Sequence, residues 1–270
     1  MMTYIKDMIN DLIRYMTIRS FPPVTQLDGK KSVRIFVLRH KDEPLPDIFS
    51  NRDIYTPLNC GTADFSRTEP HALSDSVGEN ISRYNLRLNE ATGIWWIGKH
   101  IQELGNPDFI GIDHYRRYLQ WTPQLMKPGV VFVHSGLFWK RIREWFVLDG
   151  RPDITDFFVE LFKHIFPEQE YLDFDKYLNS HTFCLANLML TDRATFMRYF
   201  QFIDRVIKEV VRMIDSDSIR TCGLVPEPQR TYGFFLEQMT SYWLFHERNM
   251  HRVKLIRTGL TFIEAPTRLD

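Results

Sequence analysis

The feature that most constrains the fold is the stretch PDFIGIDHYRRYL, residues 107–119, in which an apolar strand runs directly into charged side chains. Its first half is apolar around a glycine, as is typical of a strand buried on both faces of a sheet. Four polar residues then follow in close succession: Asp113, His114, Arg116 and Arg117. A fold that contains this stretch must bury the strand and present these polar groups where the strand ends.

Two further strands precede it and suggest the class of fold. Val33–His40 (VRIFVLRH) is strongly apolar and ends in the polar cluster RHKDEPLP, and Ile54–Gly61 (IYTPLNCG) reads as a second, shorter strand. In an α/β fold, the polar residues that follow the first strand are the usual place for a nucleotide site. The sequence therefore predicts an open sheet with a binding edge.

The remaining elements alternate between helical and extended patterns. Apolar residues at helical spacing predict helices over 85–104, 154–165 and 232–249, and a strand, turn and long helix over 181–214. Residues 129–135 predict another strand, followed by an aromatic helical region, and residues 253–266 a closing pair of strands. We therefore expect one α/β domain over residues 31–270.

The first 30 residues are expected to form a separate element, an amphipathic helix followed by a turn-rich linker. Apolar side chains recur at helical spacing there, in Tyr4, Ile5, Met8, Ile9, Leu12, Ile13 and Met16. Such a helix either packs on the main domain or lies on a membrane surface or a partner. Charged residues interrupt it, so it does not read as a signal peptide.

Composition excludes several classes of protein. Lys plus Arg and Asp plus Glu both number 34, so the formal net charge is zero and no nucleic-acid partner is expected. The three cysteines are widely spaced and predict neither a disulfide framework nor a zinc site. No apolar run approaches the length of a membrane span. A cytoplasmic protein with reduced thiols is the expectation.

Motifs for other chemistries are missing from the sequence. It contains no G-x-S-x-G, no Walker A and no G-x-G-x-x-G. Hydrolase, kinase and dehydrogenase interpretations therefore have no recognisable site.

A set of short motifs in a fixed order resembles the DUF4422 family, which is associated with glycosyl transfer in bacterial capsule and O-antigen gene clusters. The motifs are IFVLRHKDEPLP, YTPLNCGTA, LSDSVGENIS, NEATGIWWIGKH, FIGIDHYRRYL, ANLMLTDRATF and RTYGFFLEQMTSYWL. They span about residues 33–245, and HYRR is intact. The sequence departs from the family pattern at five positions: Glu79, Trp95, Gly98, Asp113 and Gln238.

The resemblance implies a single GT-A-like (Rossmann-like) domain, an α/β fold with an open, mostly parallel central sheet flanked by helices. It also implies transfer of a hexose from a nucleotide sugar, with UDP as the expected nucleotide, to a glycan acceptor that is expected to be lipid-linked. Peripheral contact with the inner face of the bacterial inner membrane is expected through the first helix and the aromatic segment 138–146. The alternative is a carbohydrate- or nucleotide-binding module of the same fold without catalysis.

Arg116 and Arg117 are the first candidates to neutralise the departing diphosphate, because a guanidinium matches phosphate oxygens. Adjacent residues of an extended chain point to opposite faces, so we expect one arginine to face the ligand and the other to pair with a structural carboxylate. His114 and Tyr115 are expected at the same nucleotide-sugar site. A hydrogen-bonded structural role is the alternative for His114.

A divalent cation is the second means of neutralising the leaving group. GT-A enzymes end a strand in Asp-x-Asp, and Asp113 is the nearest match, with Tyr115 in the third position. One carboxylate with phosphates and waters can hold Mg²⁺ or Mn²⁺, and His114 offers Mn²⁺ a nitrogen. A metal-free mechanism that depends on arginine is the competing prediction.

The other candidate residues follow the order of the motifs. Nucleotide-sugar binding is expected from His40, Lys41, Asp75, Glu79, Asn80 and Lys99. Asp75, Glu79 and Asn80 alternatively shape their loop through Asx-type turns. Asn187 is expected to bind the acceptor, with an orienting role for acceptor or donor hydroxyls.

Glu237 is the predicted catalytic base, with Asp113 as the second catalytic candidate. Glu237 lies in the apolar segment YGFFLEQM, where burial would raise the pKa of its carboxyl toward a value suited to a base. A structural ion pair with Arg230 is the alternative.

Overall fold

A computed structural model describes residues 18–61, 69, 71–137, 140–144, 153–216 and 230–263. The expected N-terminal helix and residues 138–139 and 145–146 of the aromatic segment lie outside the described residues. Within the described part of the chain, no helix combines the length and apolarity needed to cross a membrane.

Strands and helices fall close to the predicted positions. The strands are β1 Val33–Arg39, β2 Tyr55–Asn59, β3 Leu73–Ser74, β4 Phe109–His114, β5 Arg117–Leu119, β6 Val130–Leu137, β7 Thr182–Asp192, β8 Lys254–Arg257 and β9 Leu260–Phe262. The α-helices are α1 Asn85–Leu88, α2 Ala91–Lys99, α3 Asp153–Ile165, α4 Glu168–Leu178, α5 Arg193–Asp215 and α6 Thr231–Asn249.

The main sheet is open and mostly parallel, as predicted. Its strand order is β3-β2-β1-β4-β7-β6-β8. The only reversed strand in this path is β7, which is antiparallel to both β4 and β6. The two closing strands were expected to pair with each other, but β8 joins the edge of the sheet beside β6, whereas β9 pairs with β5. They therefore extend two different parts of the sheet.

Both faces of the sheet are covered, which explains why its central strands are apolar without a break. Phe36 and Leu38 of β1 face the larger core, which the helices complete, while Val33, Ile35 and Val37 face a smaller core. The smaller core is closed by aromatic side chains in and just after β5, among them Tyr118 and Trp121.

The predicted helix over 85–104 is divided in two. Asn89 adopts a left-handed backbone conformation, φ 53°, and separates α1 from α2. The apolar spacing runs through this position, so periodicity does not reveal the break. Helix α2 also explains one departure from the family pattern, because a Cβ on Gly98 would lie 2.0 Å from the Phe200 ring of α5. The Phe200 ring occupies the space that a larger residue would need.

Candidate active site

The candidate site lies at the edge of the sheet where parallel strands β1 and β4 end side by side. Leu38 pairs with His114 in the strand register, so His40 and His114 reach the same edge. The Glu90 carboxylate, just before α2, lies between them. Its Oε1 is 3.2 Å from His40 Nε2 and 3.9 Å from His114 Nδ1. A glutamate and two histidines therefore form the floor of the site.

Burial and neighbouring charges set the ionisation of this floor. Burial alone would raise the pKa of Glu90, but the hydrogen bond with His40 and the charges of the two histidines outweigh it and lower that pKa. Burial lowers the pKa of His114 to about 4, so its imidazole is neutral near pH 7. His114 Nε2 is buried without a hydrogen-bond partner among the described residues. The floor thus combines an ionised carboxylate with a buried imidazole nitrogen that has no hydrogen-bond partner among the described residues.

Glu237 reaches the same neighbourhood from α6. Its Oε1 accepts a hydrogen bond from the Ala186 N–H, and its side chain is only partly buried. Burial raises the pKa of the Glu237 carboxyl to about 7, although the Ala186 N–H favours the ionised form. The Glu90 charge raises that pKa further, whereas Arg117 and Arg230 lower it. A carboxyl with a pKa near neutrality is suited to act as a general base.

The Ala186 N–H is available because β7 bulges away from β6. The strand register jumps from Val133–Met189 to Ser135–Cys184, and within the bulge Ala186 and Asn187 have φ values of 60° and 57°. Two consecutive non-glycine residues in the left-handed region are uncommon, and such strain is concentrated at functional sites. The bulge directs one backbone donor at Glu237.

Asn187 is buried in the same bulge. It is 4% exposed, and its Oδ1 has no hydrogen-bond partner among the residues that the structure describes. An unpaired buried carbonyl costs ~1–3 kcal/mol, so a ligand hydroxyl that satisfied it would be favoured.

One arginine pairs with a carboxylate, as expected, but strand alternation is not the reason, because Tyr115 and Arg116 form a tight turn and Arg117 begins β5. Arg116 Nη2 lies 3.0 Å from Glu43 Oε1, and its guanidinium packs over the Tyr115 ring. The Arg117 side chain is exposed and makes no hydrogen bond or ion pair with the described part of the chain. Its charge lowers the pKa of His114, as it does that of Glu237, so it belongs to the same site. Arg117 is therefore the cation available to an anionic ligand.

The first turn of α6 is fixed against the junction of α1 and α2. Arg230 Nε donates a hydrogen bond to Asn89 Oδ1 at 3.0 Å. The alternative role of Glu237, a structural ion pair with Arg230, is therefore not what the described residues show. Gly233 allows the close approach, because a Cβ there would lie 1.8 Å from Asn89 Nδ2. This contact holds α6, and with it Glu237, against the elements that carry Glu90.

Several other predicted residues lie in the loop and helix end behind the site. Asp75 is fully buried, and its carboxylate accepts hydrogen bonds from the Gly61 N–H and from two hydroxyls, those of Ser82 and Thr92. Asn80 is exposed and bonds the backbone of its own loop, which is the turn-shaping alternative.

Glu79 and Lys99 pair with each other rather than with the floor of the site. Glu79 Oε1 is 3.0 Å from Lys99 Nζ. Lys99 lies at the far end of α2 from Glu90, about 14 Å along the helix axis at 1.5 Å per residue. Lys41 is exposed, one residue beyond His40.

Asp113 does not share a face with His114. It is fully buried on the side of the smaller core, where Oδ1 accepts a hydrogen bond from the Leu119 N–H at 3.0 Å. Burial raises the pKa of Asp113 to about 8. Burial, and after it the charge of Asp113, also raises the pKa values of the nearby Tyr55 and Tyr118. A divalent cation binds several oxygen ligands and favours ionised carboxylates. The buried Asp113 carboxyl has a pKa near 8 and is mostly protonated at neutral pH, so its surroundings do not fit such a cation. The described residues contain no cluster of three or more His, Cys, Asp or Glu side chains arranged for a metal.

Sequence reasoning assigned no role in the site to Glu90, to the Ala186 N–H or to Phe262. Glu90 carries a weak signal, since it is an acidic residue at the start of an apolar helix. Phe262 is exposed and lies directly opposite Arg117 across β5 and β9, so its ring forms part of the rim. The position of Phe262 depends on a pairing between strands distant in sequence, which no local pattern indicates.

Comparisons with known proteins point to one family and one fold. The model of DUF4422, a domain of unknown function, matches residues 34–145 and 152–248. No curated protein matches the sequence significantly. Among solved structures, the apo form of the bifunctional glycosyltransferase WbbM has a TM-score of 0.62 at 16% identity, over 87% of this chain and 46% of that one. The chain therefore spans about half the length of that protein and shares its fold.

Proposed function

Because the chain belongs to the DUF4422 family, we propose that it is a glycosyltransferase that transfers a hexose from a UDP-sugar to a glycan acceptor. One observation carries the proposal. A partly buried carboxyl, Glu237, is held by the Ala186 N–H with a pKa near 7, in the same site as an uncommitted cation, Arg117. The GT-A-like fold shared with a glycosyltransferase supports the assignment.

The reaction releases a proton from the acceptor hydroxyl and builds negative charge on the departing diphosphate. Each of these charges has a candidate residue. Glu237 accepts the proton of the acceptor hydroxyl while the hydroxyl oxygen attacks the anomeric carbon of the donor. The bond from that carbon to the diphosphate oxygen breaks, and its electron pair leaves with the nucleotide. Arg117 stabilises the negative charge that develops on the diphosphate. A base that acts directly on the acceptor implies inversion at the anomeric carbon.

The remaining polar groups position the two substrates. Asn187 Oδ1 and His114 Nε2 are buried and unpaired within the described residues, so acceptor or donor hydroxyls would satisfy both. His40, Lys41 and Tyr115 remain candidates to bind the nucleotide at the ends of β1 and β4. The described residues do not form a divalent-cation site at Asp113, so the proposed chemistry relies on the cations of the chain.

The biological setting is also a proposal. We assign the domain to residues 31–270 and its activity to bacterial capsule or O-antigen synthesis, in the cytoplasm at the inner membrane, on a lipid-linked acceptor. A catalytically inactive carbohydrate- or nucleotide-binding module is the second candidate. It is favoured by the lack of an acidic metal cluster in the described part of the chain.

Turnover of a panel of UDP-sugars separates the two candidates. The purified chain would be incubated with each donor and a set of glycan acceptors, with and without Mn²⁺ or EDTA, and free UDP would be measured. Glycosyl transfer predicts acceptor-dependent UDP release that Glu237→Gln abolishes and EDTA leaves intact. Binding of UDP without release from any donor would contradict the enzyme and support the binding module.

A further inference from the structure

A second concave surface lies away from the catalytic edge, along the outer strand β8. It is an open groove of about 1120 Å³ between β8, the turn before β6 and the end of α6. Its lining includes six Lys or Arg side chains and no Asp or Glu: Arg19, Lys127, Arg248, Arg252, Lys254 and Arg257. We call this surface the basic groove. Since the whole chain has a formal net charge of zero, the groove is a local concentration of positive charge.

Some of these cations are already engaged within the protein. Arg252 Nη1 is 2.9 Å from Glu247 Oε1, and Arg257 Nε donates to Ser135 Oγ at 2.5 Å. Arg19, Lys127 and Lys254 are exposed, and the described residues offer them no ion-pair partner. These three charges come from separate segments of the chain, so the fold brings them to one surface.

Protection of the sheet edge against pairing with another chain explains only part of the positive charge in the basic groove. A lysine on an edge strand discourages pairing with another chain, and Lys254 fits that role. However, Arg19 already pairs with the continuation of β8, since its N–H donates to Arg257 O at 2.9 Å. Lys127 lies in the turn before β6, where no edge needs protection.

The lining of the basic groove also includes apolar side chains, among them Val130, Val253 and Leu255. A hydrated polyanion gains nothing from apolar lining residues, whereas a lipid offers both a phosphate and hydrocarbon. Clusters of basic residues of this number attract anionic lipid headgroups, with each Lys or Arg contributing separately. The chemistry therefore favours a phospholipid over a soluble polyanion.

We propose that the basic groove binds the phosphate headgroups of anionic phospholipids and docks the β8 edge of the sheet on a membrane surface. This site is separate from the catalytic residues and does not depend on which sugar is transferred. One end of the groove reaches Cys184, two residues before Ala186, so a docked membrane would lie beside the strand that carries the Glu237 partner.

Vesicle flotation tests the proposal. The full chain would be mixed with vesicles of phosphatidylcholine alone or with added phosphatidylglycerol, and the bound fraction would be measured. We expect binding only to the anionic vesicles, weakened by salt. The variant Arg19→Glu, Lys127→Glu, Lys254→Glu should lose binding by about tenfold or more.

A matched control carries three charge reversals outside the basic groove: Lys163→Glu, Lys176→Glu and Lys208→Glu. It should float like the wild type, and circular dichroism should show both variants folded. Equal binding to neutral vesicles, unchanged binding by the groove variant, or equal loss in the control would overturn the proposal. So would a soluble polyanion, dextran sulfate, that binds in preference to the anionic vesicles. UDP-sugar turnover in detergent should be retained by the groove variant, which separates this result from the proposed function.

Discussion

Replacing Glu237 by Gln should remove activity and stabilise the protein at the same time. The amide keeps an oxygen that can accept the Ala186 N–H but cannot take a proton from a hydroxyl. Loss of a general base typically slows a reaction by about 10²–10⁴-fold. We therefore expect kcat to fall in that range while nucleotide binding is retained.

The magnitude of the stabilisation follows from the pKa. The pKa of Glu237 rises from 4.5 to about 7 in the folded chain, so the folded state holds a proton between these values that the unfolded state has lost. The free energy of unfolding of the wild type therefore falls as pH rises through this window. One pKa unit corresponds to ~1.36 kcal/mol, so the total cost of ionising Glu237 reaches about 3 kcal/mol above pH 7.

Two assays test this reasoning. Urea denaturation at pH 8 should show Glu237→Gln more stable than the wild type by up to about 3 kcal/mol, and the difference should vanish near pH 4. The pH profile of wild-type kcat/KM should rise with a midpoint near 7, because only the ionised carboxylate acts as base. Retained activity in the variant, or equal stability of both proteins at pH 8, would refute the assignment.

Three further predictions concern the surroundings of Glu237. Glu90→Gln removes a negative charge that raises the pKa of Glu237, so the midpoint of the pH–rate profile should move below the wild-type value. Gly233→Ala drives a Cβ into Asn89 and should lower the free energy of unfolding by ~1–3 kcal/mol in urea denaturation. Asn187→Gly suits the left-handed backbone and removes the unpaired carbonyl, so KM for the acceptor should rise by up to about tenfold with stability retained. An unshifted profile, unchanged stability or an unchanged acceptor KM would contradict the three statements in turn.

The strands and the polar edge where β1 and β4 end were predictable because their signals are local. Val33–Arg39 and Phe109–His114 are apolar runs that end in polar residues, and parallel strands bring such ends together. That one of Arg116 and Arg117 pairs with a carboxylate was expected, but the extended chain assumed for that expectation is a tight turn at Tyr115 and Arg116.

The parts that escaped prediction depend on long-range packing. The break at Asn89 lies within continuous helical periodicity, and Asn89 packs closely against Gly233, over a hundred residues later. The bulge at Ala186 has no glycine or proline to indicate it, and the carboxyl that it binds comes from α6. Asp113 resembled a metal ligand in sequence, yet strand alternation directs it into the smaller core, away from His114.

The most direct test of the central claim compares Arg117→Gln with Arg116→Gln. Both the affinity for UDP and the rate of acceptor-dependent UDP release would be measured for each variant. The Arg117 side chain is uncommitted, whereas Arg116 is paired with Glu43. Arg117→Gln should therefore lower the affinity for UDP and the rate of UDP release far more than Arg116→Gln does. Unchanged affinity and turnover in Arg117→Gln would contradict the account, because no cation at this edge would then be needed by the departing nucleotide.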